Sequence, residues 1–521
     1  MRSILRDKPA GELPKSSAKL AIISLTAKPK PDLFSDLFSE APPVVGYFGG
    51  IAYLCGIIND FKFRPAMAKE NIKLHADCLA DAQIPDYAAQ CPPAPEGELR
   101  MLSLFSGCGG MDLGFEGGFI CHRRSVPEGS PWIQEGVNGD WVLLSRNRFS
   151  TVFANDILRE AKIAWANYME RFGKDPAIYR FKSIVDLVKK HQENEKLIAA
   201  GTPRDEVEAV FPENIDLVTG GFPCQDFSVA GKRAGFDSGK MHDGSKREGD
   251  VPSEETRGKL YFWMKQVIDI VKPKVFVAEN VKGLVSLGEA KEIIQRDFSG
   301  ADGNGYIVLD PQVLHAGDYG VPETRERVIF IGIRKSALRP EVKAEYERTG
   351  ELPANPYPAP THSHTGSAAG LLKPVSCREV FASLLEPEKS ADLSQRNYSR
   401  AKYMGSHCQG QSEIAIDGLG PTIRSEHHGN IEYRRLSAEH GGAMADELAR
   451  GLAERRMTPR ECALIQTFPP DYPFVTPASE GSAKFGLSPS GAYKVIGNAV
   501  PPMLAYNIAR RLQEVWPLYF G

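Results

Sequence analysis

Short apolar runs recur along the middle of the 521-residue chain, and each is followed by a segment of helix-compatible composition. A continuous apolar run is typical of a strand that helices cover on both faces. Strands that alternate with helices indicate βαβ units and a mainly parallel sheet. The sequence therefore predicts an α/β fold, with strands at Met101–Phe105, Thr151–Ala154, Asp216–Thr219, Val275–Ala278 and Val328–Ile333.

The rest of the chain lacks this alternation. Residues 1–97 begin with a polar stretch containing Lys and Pro and end in a proline-rich, linker-like segment. Between about 339 and 455 the chain is rich in Pro, Gly, Ser and His, without a strand–helix rhythm. From Tyr493 an amphipathic helical pattern resumes. We expect an N-terminal extension of unassigned role at 1–97, the α/β domain at 98–350, a smaller irregular domain at 351–485, and a segment at 486–521 that completes the α/β domain.

Composition narrows the class of protein only a little. Hydrophobic residues make up 42% and charged residues 25%, as in ordinary globular domains. A formal net charge of −3 gives no overall attraction to nucleic acid, although local Lys/Arg clusters suffice for phosphate contacts. Nine scattered cysteines without a CxxC pair predict free thiols in a reducing compartment and no metal site. The apolar run Val44–Ile58 is shorter than the ~20 residues of a membrane-spanning helix, so we expect a cytoplasmic protein without a membrane partner.

The tetrapeptide Phe222-Pro223-Cys224-Gln225 follows a short apolar strand and a pair of glycines. Glycine permits close backbone approach, and proline fixes φ just before the thiol. Such a turn presents a side chain at the carboxyl end of a strand, where open α/β sheets bind their ligands. Cys224 is therefore a candidate nucleophile. The alternative is a small buried hydrophobic residue, as most cysteines outside disulfides are.

Two further segments have the pattern of a nucleotide-like site. A strand enters the glycine-rich turn Phe105–Gly110 and then a helix, so that backbone N–H groups can approach a ligand closely. Its Gly-x-Gly-Gly spacing does not favour a dinucleotide, and an ordinary tight turn is the alternative. Asp156 ends the next strand, where an acidic residue commonly accepts hydrogen bonds from ribose hydroxyls. It would equally serve as a cap of the following helix.

Charged side chains also end two other strands. Glu279 closes a fully apolar strand at the sheet edge where Cys224 lies, and partial desolvation there would raise its pKa. The alternative is a carboxylate that caps the next helix. Arg325 and Arg327 stand two apart at the start of a strand, so both should point to the same face. Two adjacent guanidinium groups suit a phosphate or a base edge, and a solvated strand end is the alternative.

In this order, the segments resemble the DNA (cytosine-5)-methyltransferase family of bacterial restriction–modification systems. The resemblance covers about 99–334 and 455–508, and its motifs are Phe105–Gly110, Pro223-Cys224-Gln225, Glu279-Asn280-Val281, the pair Arg325 and Arg327, Arg456–Pro469, and Gly497–Pro502. It implies a Rossmann-like, S-adenosylmethionine-dependent methyltransferase fold with a mostly parallel sheet. The irregular domain is then identified as a target-recognition domain.

The resemblance implies chemistry on a cytosine that is flipped out of double-stranded DNA. Cys224 as thiolate would attack C6 of the base. Glu279 would hydrogen-bond ring N3, with Asn280 helping to orient it, and C5 would receive the methyl group of S-adenosylmethionine. Arg327, with Arg325 alongside, would hold O2 of the base and the neighbouring backbone.

Contact residues are carried over in the same way. For the cofactor they are Phe105, Ser106, Gly107, Gly109, Gly110, Asp156, Ile157, Ile184, Pro223, Leu260, Asn498 and Ala499. For DNA they are Gln225, Ser228, Lys232 and Arg233 in the loop after Cys224, and Arg424, His427, His428, Asn430, Tyr433 and Arg434 in the recognition domain. The expected partners are double-stranded DNA and, functionally, a restriction endonuclease. The protein itself is expected to be monomeric and associated with the bacterial nucleoid.

The chain departs from the family pattern at three places. Glu323 stands where Gln is usual, residues 182–184 replace a segment with an acidic residue near the adenine amine, and Ile157 replaces a tryptophan at the adenine ring. Two other functions stay open, namely methylation of tRNA and DNA binding without catalysis. A thiol hydrolase would need a histidine beside Cys224, and His315 is the one histidine near these motifs.

Overall fold

The computed structural model describes residues 95–134, 139–223, 259–287, 289–408, 410–425 and 431–521. The extension predicted at 1–97, with its apolar run, therefore lies almost wholly outside the described residues. Within the described ranges, no helix has both the length and the apolar composition needed to cross a membrane.

Strands and helices alternate through the first half of the described chain, and short helices dominate later. The strands are β1 (Leu99–Leu104), β2 (Ile120–His122), β3 (Trp141–Leu143), β4 (Phe149–Asp156), β5 (Tyr179–Phe181), β6 (Leu217–Gly221), β7 (Val275–Val281), β8 (Tyr306–Val308), β9 (Gln312–His315), β10 (Glu326–Arg334), β11 (Tyr433–Arg435), β12 (Arg455–Arg456), β13 (Thr476–Pro477) and β14 (Phe485–Leu487). The helices are α1 (Gly110–Glu116), α2 (Arg159–Met169), α3 (Ile184–Ala199), α4 (Leu260–Val271), α5 (Ala290–Ser299), α6 (Ala301–Asn304), α7 (Pro340–Thr349), α8 (Cys377–Phe381), α9 (Leu393–Arg396), α10 (Ala445–Ala449), α11 (Pro459–Ile465), α12 (Pro489–Asn498) and α13 (Pro502–Tyr519).

The central sheet of the described residues has eight strands in the order β5-β4-β1-β6-β7-β10-β8, with β9 paired to β10. Strands β1, β4, β5, β6 and β7 run parallel, whereas β10 is antiparallel to β7, β8 and β9. The five apolar runs correspond to β1, β4, β6, β7 and β10. The predicted Rossmann-like α/β fold with a mostly parallel sheet is confirmed.

Two hydrophobic cores lie on opposite faces of this sheet. Successive residues of β7 divide between them, because side chains alternate along a strand. Val275 and Val277 pack in the core that includes α1, α2 and α13, while Phe276 and Ala278 pack in the core that includes α3, α4 and α5. This double burial explains why the strand sequences are continuous apolar runs.

The C-terminal helices return to the glycine turn that follows β1. A Cβ on Gly114 would lie within 2.5 Å of the Pro502 carbonyl, and one on Gly110 would overlap the Val500 carbonyl. The Cys108 thiol donates to the Val495 carbonyl at 3.3 Å. Small residues in α1 therefore allow close backbone approach, and the 497–502 motif packs beside this turn.

The described part of the region between α7 and β12 contains three short helices and one short strand, connected by loops. A network of ion pairs, buried except at the partly exposed Glu386, runs through this region and into β12 and α11: Arg434 with Glu447 (2.6 Å), Arg435 with Glu386 (2.5 Å) and Arg455 with Glu461 (2.8 Å). Burial alone would raise the pKa of Glu386, but the guanidinium groups of Arg435 and Arg455 lower it to about 2. Because a buried charge without its partner is costly, this network specifies how the loops pack.

Candidate active site

The glycine-rich turn between β1 and α1 adopts left-handed backbone conformations. Phe105 has a φ of 52°, Gly107 of 55° and Gly109 of 82°. A positive φ is costly for a residue with a side chain, and such strain is concentrated at functional turns. The Gly107 N–H donates to Oδ2 of Asp156 at 3.0 Å, and the Tyr179 hydroxyl donates to the Gly107 carbonyl at 2.9 Å. The turn is thereby fixed against the ends of β4 and β5.

Asp156 lies at the carboxyl end of β4, as predicted. Its carboxylate accepts from the backbone N–H of Gly107 at 3.0 Å and from that of Leu158 at 2.9 Å. Burial raises its pKa, although these backbone hydrogen bonds oppose the shift. The Leu158 contact closes a local turn two residues long, and the alternative in which Asp156 caps α2 is wrong, because the N-cap residue of that helix is Leu158 and no side chain caps it. A carboxylate has lone pairs for further donors, so this contact leaves room for a ribose hydroxyl.

Two apolar side chains project beside Asp156. Ile157 is 40% exposed and Phe181 is 48% exposed, and the β4–β5 register pairs Asp156 with Phe181. The Asn155 amide donates to the carbonyls on either side of Phe181, at 3.0 and 2.7 Å, so that the backbone of Phe181 is fixed. No sequence motif assigned a role to Phe181. Its available signal was an aromatic residue directly before the segment at 182–184.

The other predicted cofactor residues differ in exposure. Asn498 is exposed at the end of α12, and Pro223 is half-buried. Ile184 and Leu260 are buried at the first positions of α3 and α4, and Ser106 and Ala499 are also buried. The Ser106 hydroxyl donates to the Ser103 hydroxyl at 2.8 Å and accepts from the Asn155 N–H at 3.1 Å. The contacts of all these predicted residues with a cofactor stay predictions.

Glu279 forms an ion pair with Arg327, with Nε of the arginine 2.6 Å from Oε1 of the carboxylate. The sheet register aligns Glu279 with Gly221, and a Cβ on Gly221 would lie 2.8 Å from Oε2 of Glu279. Glycine at this position therefore makes room for the carboxylate. Burial raises the pKa of Glu279, whereas the charges of Arg327 and Arg325 lower it. The alternative in which Glu279 caps the next helix is wrong, because the turn after β7 has no side-chain cap.

Asn280 is fully buried, and its Nδ2 donates to the Phe222 carbonyl at 3.0 Å. Its Oδ1 accepts from the Val281 N–H at 2.9 Å. Nδ2 thus ties the end of β7 to the backbone that leads into Pro223 and Cys224, while Oδ1 is used by the neighbouring residue of the same strand. This anchoring contact was missed at the level of the sequence, where Asn280 was expected to orient the carboxylate. Outside the described residues lie Cys224, Gln225, Ser228, Lys232 and Arg233.

Arg325 does not share the surroundings of Arg327. Its Nη1 donates to the Ile423 carbonyl at 2.9 Å, and its Nη2 donates to the carbonyls of Gly497 and Ala499 at 3.0 and 2.8 Å. The side chain is 1% exposed. This corrects the prediction that Arg325 and Arg327 together hold the base. Arg325 precedes the first residue of β10, so the two-residue period of a strand does not apply to it.

The residues predicted to read DNA also lie in different surroundings from one another. Tyr433 is buried and its ring lies 4.3 Å from the Arg456 guanidinium carbon, while Arg434 is buried on Glu447. These contacts correct the prediction that both residues contact DNA, because their polar groups are used inside the domain. Arg424 is partly exposed and pairs with Glu432 at 2.6 Å. Outside the described residues lie His427, His428 and Asn430.

His315, the histidine considered for a thiol hydrolase, stacks its ring on His364 with centroids 4.0 Å apart. Its Nδ1 accepts from the Gly317 N–H at 3.1 Å. Together with Asp318 these histidines bring atoms of the metal-ligand type within 4.8 Å of one another, a cluster that the sequence had not singled out. It plays no part in the chemistry considered below.

Comparison with known proteins gives consistent matches. The family model described as C-5 cytosine-specific DNA methylase matches residues 99–514. The Type II methyltransferase M.BsuRI of Bacillus subtilis is 28% identical over 422 residues, which cover 79% of this chain and 78% of that protein. The Type II methyltransferase M.BspRI of Lysinibacillus sphaericus is 29% identical over 473 residues, which cover 87% of this chain and 92% of that protein. The solved structure of the Entamoeba histolytica methyltransferase EhMeth is 14% identical and aligns with a TM-score of 0.45 over 81% of this chain and 99% of that one.

Proposed function

The chain belongs to the C-5 cytosine-specific DNA methylase family and is a DNA cytosine-5 methyltransferase, and from this premise we propose that it methylates C5 of a cytosine flipped out of duplex DNA. One observation carries the mechanistic part of the proposal. The Glu279–Arg327 pair lies at the same sheet edge as the Phe222–Pro223 backbone that leads into Cys224. A carboxyl group, a guanidinium group and a thiol are the groups that activation of a cytosine ring requires.

Cys224 supplies the nucleophile. Its thiolate forms a bond to C6, and the electron pair of the C5=C6 double bond becomes available at C5. Glu279 donates a hydrogen bond to ring N3, which needs the protonated carboxyl group that burial favours. The remaining N–H groups of Arg327 hold O2 of the base. After C5 has gained a methyl group, loss of the C5 proton and cleavage of the S–C6 bond restore the aromatic ring.

The residues around the glycine turn fit S-adenosylmethionine. A Cβ on Gly107 would meet no atom within 4 Å, so the turn leaves open space in front of its backbone. Asp156 offers a carboxylate for the ribose, and the exposed Ile157 and Phe181 offer an apolar surface for the adenine. Asn498 is exposed at the end of α12, in the 497–502 motif that packs beside the glycine turn. When bound, S-adenosylmethionine would supply the methyl group as an electrophile: its S–CH3 bond would break as the bond to C5 forms, and the cofactor would leave as the neutral thioether S-adenosylhomocysteine.

The names of two relatives support a proposed cellular role in restriction–modification. Both relatives are named Type II methyltransferases, and the match extends over 79% and 87% of this chain. The enzyme would protect host DNA from a restriction endonuclease with the same target sequence, acting as a monomer at the nucleoid in the cytoplasm. Flipping the target base costs a few kcal/mol of stacking and pairing, which contacts to the rest of the duplex must offset.

The reaction is tested with S-adenosylmethionine labelled in its methyl group and a duplex of mixed sequence. We expect label on cytosine C5, no label with Cys224→Ser, and no label when tRNA replaces the duplex. Equal transfer to tRNA would assign the activity to RNA instead. Retained transfer by Cys224→Ser would contradict the role of the thiol. Bisulfite sequencing of DNA from an expressing host then identifies the methylated cytosine and its sequence context.

The covalent step has a separate readout. In a duplex that carries 5-fluorocytosine at the target position, the C5 substituent cannot leave as a proton, so the S–C6 bond should persist. We expect a protein–DNA adduct that survives denaturation in the presence of S-adenosylmethionine. The adduct should be absent with Cys224→Ala and with a fluorinated base outside the target sequence. An adduct that forms equally with Cys224→Ala would contradict attack by this thiol.

A further inference from the structure

The segment Pro322–Arg325, which directly precedes β10, lies alongside residues 420–423 of the irregular domain. The Thr324 N–H donates to the Gly420 carbonyl, and the Gly420 N–H donates to the Pro322 carbonyl, both at 2.9 Å. The Thr422 hydroxyl donates to the Thr324 carbonyl at 2.6 Å. This short parallel ladder attaches the irregular domain to the catalytic sheet immediately before Arg424. We call residues 420–424 the recognition segment.

The backbone of Ile423 is held from both sides by two charged side chains. Its N–H donates to Oε1 of Glu323 at 2.7 Å, and its carbonyl accepts from Nη1 of Arg325 at 2.9 Å. Glu323 and Arg325 are 3.4 Å apart, and their side chains are 0% and 1% exposed. Oε2 of Glu323 is buried without a hydrogen-bond partner among the described residues. Two buried charged groups thus hold the backbone N–H and carbonyl of one residue.

The same guanidinium group reaches a third part of the chain. Nη2 of Arg325 donates to the carbonyls of Gly497 and Ala499, which flank Asn498. A Cβ on Gly497 would overlap the backbone of Arg424, so the recognition segment passes directly against this turn. Arg325 therefore connects β10, the recognition segment and the turn proposed to contact the cofactor.

We propose that Arg325 and Glu323 are positioning residues that couple the placement of the recognition segment to the catalytic pair. Arg327 lies two residues after Arg325 on the same backbone, and it holds Glu279. A displacement of Ile423, as on a wrong DNA sequence, moves the Arg325 guanidinium and with it the start of β10. The Glu279–Arg327 pair then loses its alignment with the flipped base. This inference rests on the proposed function and adds a determinant of substrate discrimination to it.

The test compares Arg325→Lys with Arg334→Lys at the far end of the same strand. Lysine keeps the charge but lacks the rigid fork that reaches three carbonyls at once. We expect Arg325→Lys to lower kcat at the preferred sequence by about tenfold to a hundredfold, the loss that a small misplacement of reacting groups causes. The dissociation constant of S-adenosylmethionine should rise as well, because Arg325 also holds the carbonyls on either side of Asn498, so kcat is measured at saturating cofactor. The ratio of methylation at preferred to other cytosines should fall by about tenfold, whereas Arg334→Lys leaves both rate and ratio unchanged.

Glu323 gives a second, conservative comparison. Glu323→Gln keeps an oxygen that accepts from the Ile423 N–H, so its rate and discrimination should lie within about threefold of wild type. Glu323→Ala removes that acceptor and should reproduce the losses of Arg325→Lys. If Arg325→Lys does not fold, this pair decides the question alone.

A merely structural role has a different signature. It would lower the melting temperature while leaving kcat and discrimination of the folded enzyme unchanged, and that result would overturn the inference. An active wild type together with unaltered Arg325→Lys and Glu323→Ala would also overturn it, without affecting the proposed function. A wild type that transfers no methyl group to any duplex would instead refute the proposed function.

Discussion

Nε of Arg327 lies 2.6 Å from Oε1 of Glu279, and each side chain is 10% exposed. Burial raises the pKa of the Glu279 carboxyl group, while the positive charges of Arg327 and Arg325 lower it. Two opposite influences therefore act on one proton. If Glu279 donates to N3 of the base, the position of Arg327 sets the pH range in which the enzyme works.

Arg327→Gln should shift the alkaline limb of the pH–rate profile. Loss of the guanidinium charge removes the influence that lowers the pKa of Glu279, so the pKa rises and the carboxyl group stays protonated to higher pH. The maximal rate should fall because O2 of the base loses a donor, but the remaining activity should persist further into the alkaline range. Single-turnover methyl transfer measured across pH checks this. Arg334→Gln serves as the control, and a limb that is unmoved or moves to lower pH would contradict the assignment.

Asn280→Ala and Asn194→Ala should lose similar amounts of stability, but only Asn280→Ala should also slow catalysis. Each asparagine is buried and donates from Nδ2 to a backbone carbonyl, at 3.0 Å for Asn280 and 2.9 Å for Asn194. Both substitutions should cost about 1–3 kcal/mol of unfolding free energy. Only Asn280→Ala should slow formation of the 5-fluorocytosine adduct, by about tenfold or more, because its carbonyl partner belongs to the turn before Cys224. Equal adduct rates in the two variants would show that the contact has no role in placing the thiol.

Gly221→Ala should damage catalysis through a single methyl group. The added Cβ would lie 2.8 Å from Oε2 of Glu279, so the carboxylate must move away from its place beside Arg327. We expect kcat to fall by about tenfold to a hundredfold with cofactor affinity unchanged. The control is Gly300→Ala after α5, where the nearest atom, a backbone oxygen, is 3.3 Å away. A wild-type kcat in Gly221→Ala would mean that the position of the Glu279 carboxylate beside Arg327 does not affect catalysis.

The sequence predicts well those features that depend on local pattern. The continuous apolar run at Val275–Ala278 predicts a doubly covered strand, and the sheet indeed brings Glu279 at its end to the backbone before Cys224. Local pattern fails where a side chain finds its partner far along the chain. Arg434 is interleaved with other polar residues and reads as a surface group, yet Glu447 on a later helix buries it.

The two arginines of one motif illustrate the same limit. Spacing alone suggested a shared face for Arg325 and Arg327, but a strand's periodicity holds only within the strand, which begins at Glu326. The carbonyls that receive Arg325 come from Ile423, nearly one hundred positions later, and from the turn after α12. No pattern near residue 325 reports those partners.

Asp112→Asn should stabilise the protein increasingly as pH rises. The carboxyl group is fully buried in α1, where it accepts from the Ser103 hydroxyl at 2.5 Å and from Trp165 Nε1 at 2.7 Å, and burial raises its pKa from 3.8 to about 6. A raised pKa means that the folded state binds the proton more tightly. The associated stability is present below about pH 4 and is lost as the pH rises through about 6.

Asparagine is neutral at every pH and can accept from Trp165 while donating to Ser103. Its advantage over aspartate should therefore grow between about pH 4 and pH 6 and level off near 3 kcal/mol, at roughly 1.4 kcal/mol per pKa unit. Urea unfolding of both proteins at several pH values measures it. A difference that is constant with pH would show that the carboxyl group is not desolvated in the folded state.

Phe181→Ala should weaken cofactor binding, and Leu197→Ala provides a matched control. Both residues are 48% exposed, so each substitution truncates a partly exposed apolar side chain, but Leu197 lies near the far end of α3. Phe181 is aligned with Asp156 in the sheet register and its backbone is fixed by Asn155. Loss of an aromatic stacking surface should weaken S-adenosylmethionine binding by about tenfold in calorimetry. Because Ile157 has no ring with which to stack, we expect Phe181 to supply the aromatic part of the adenine surface, and equal affinity in both variants would remove it from the proposed site.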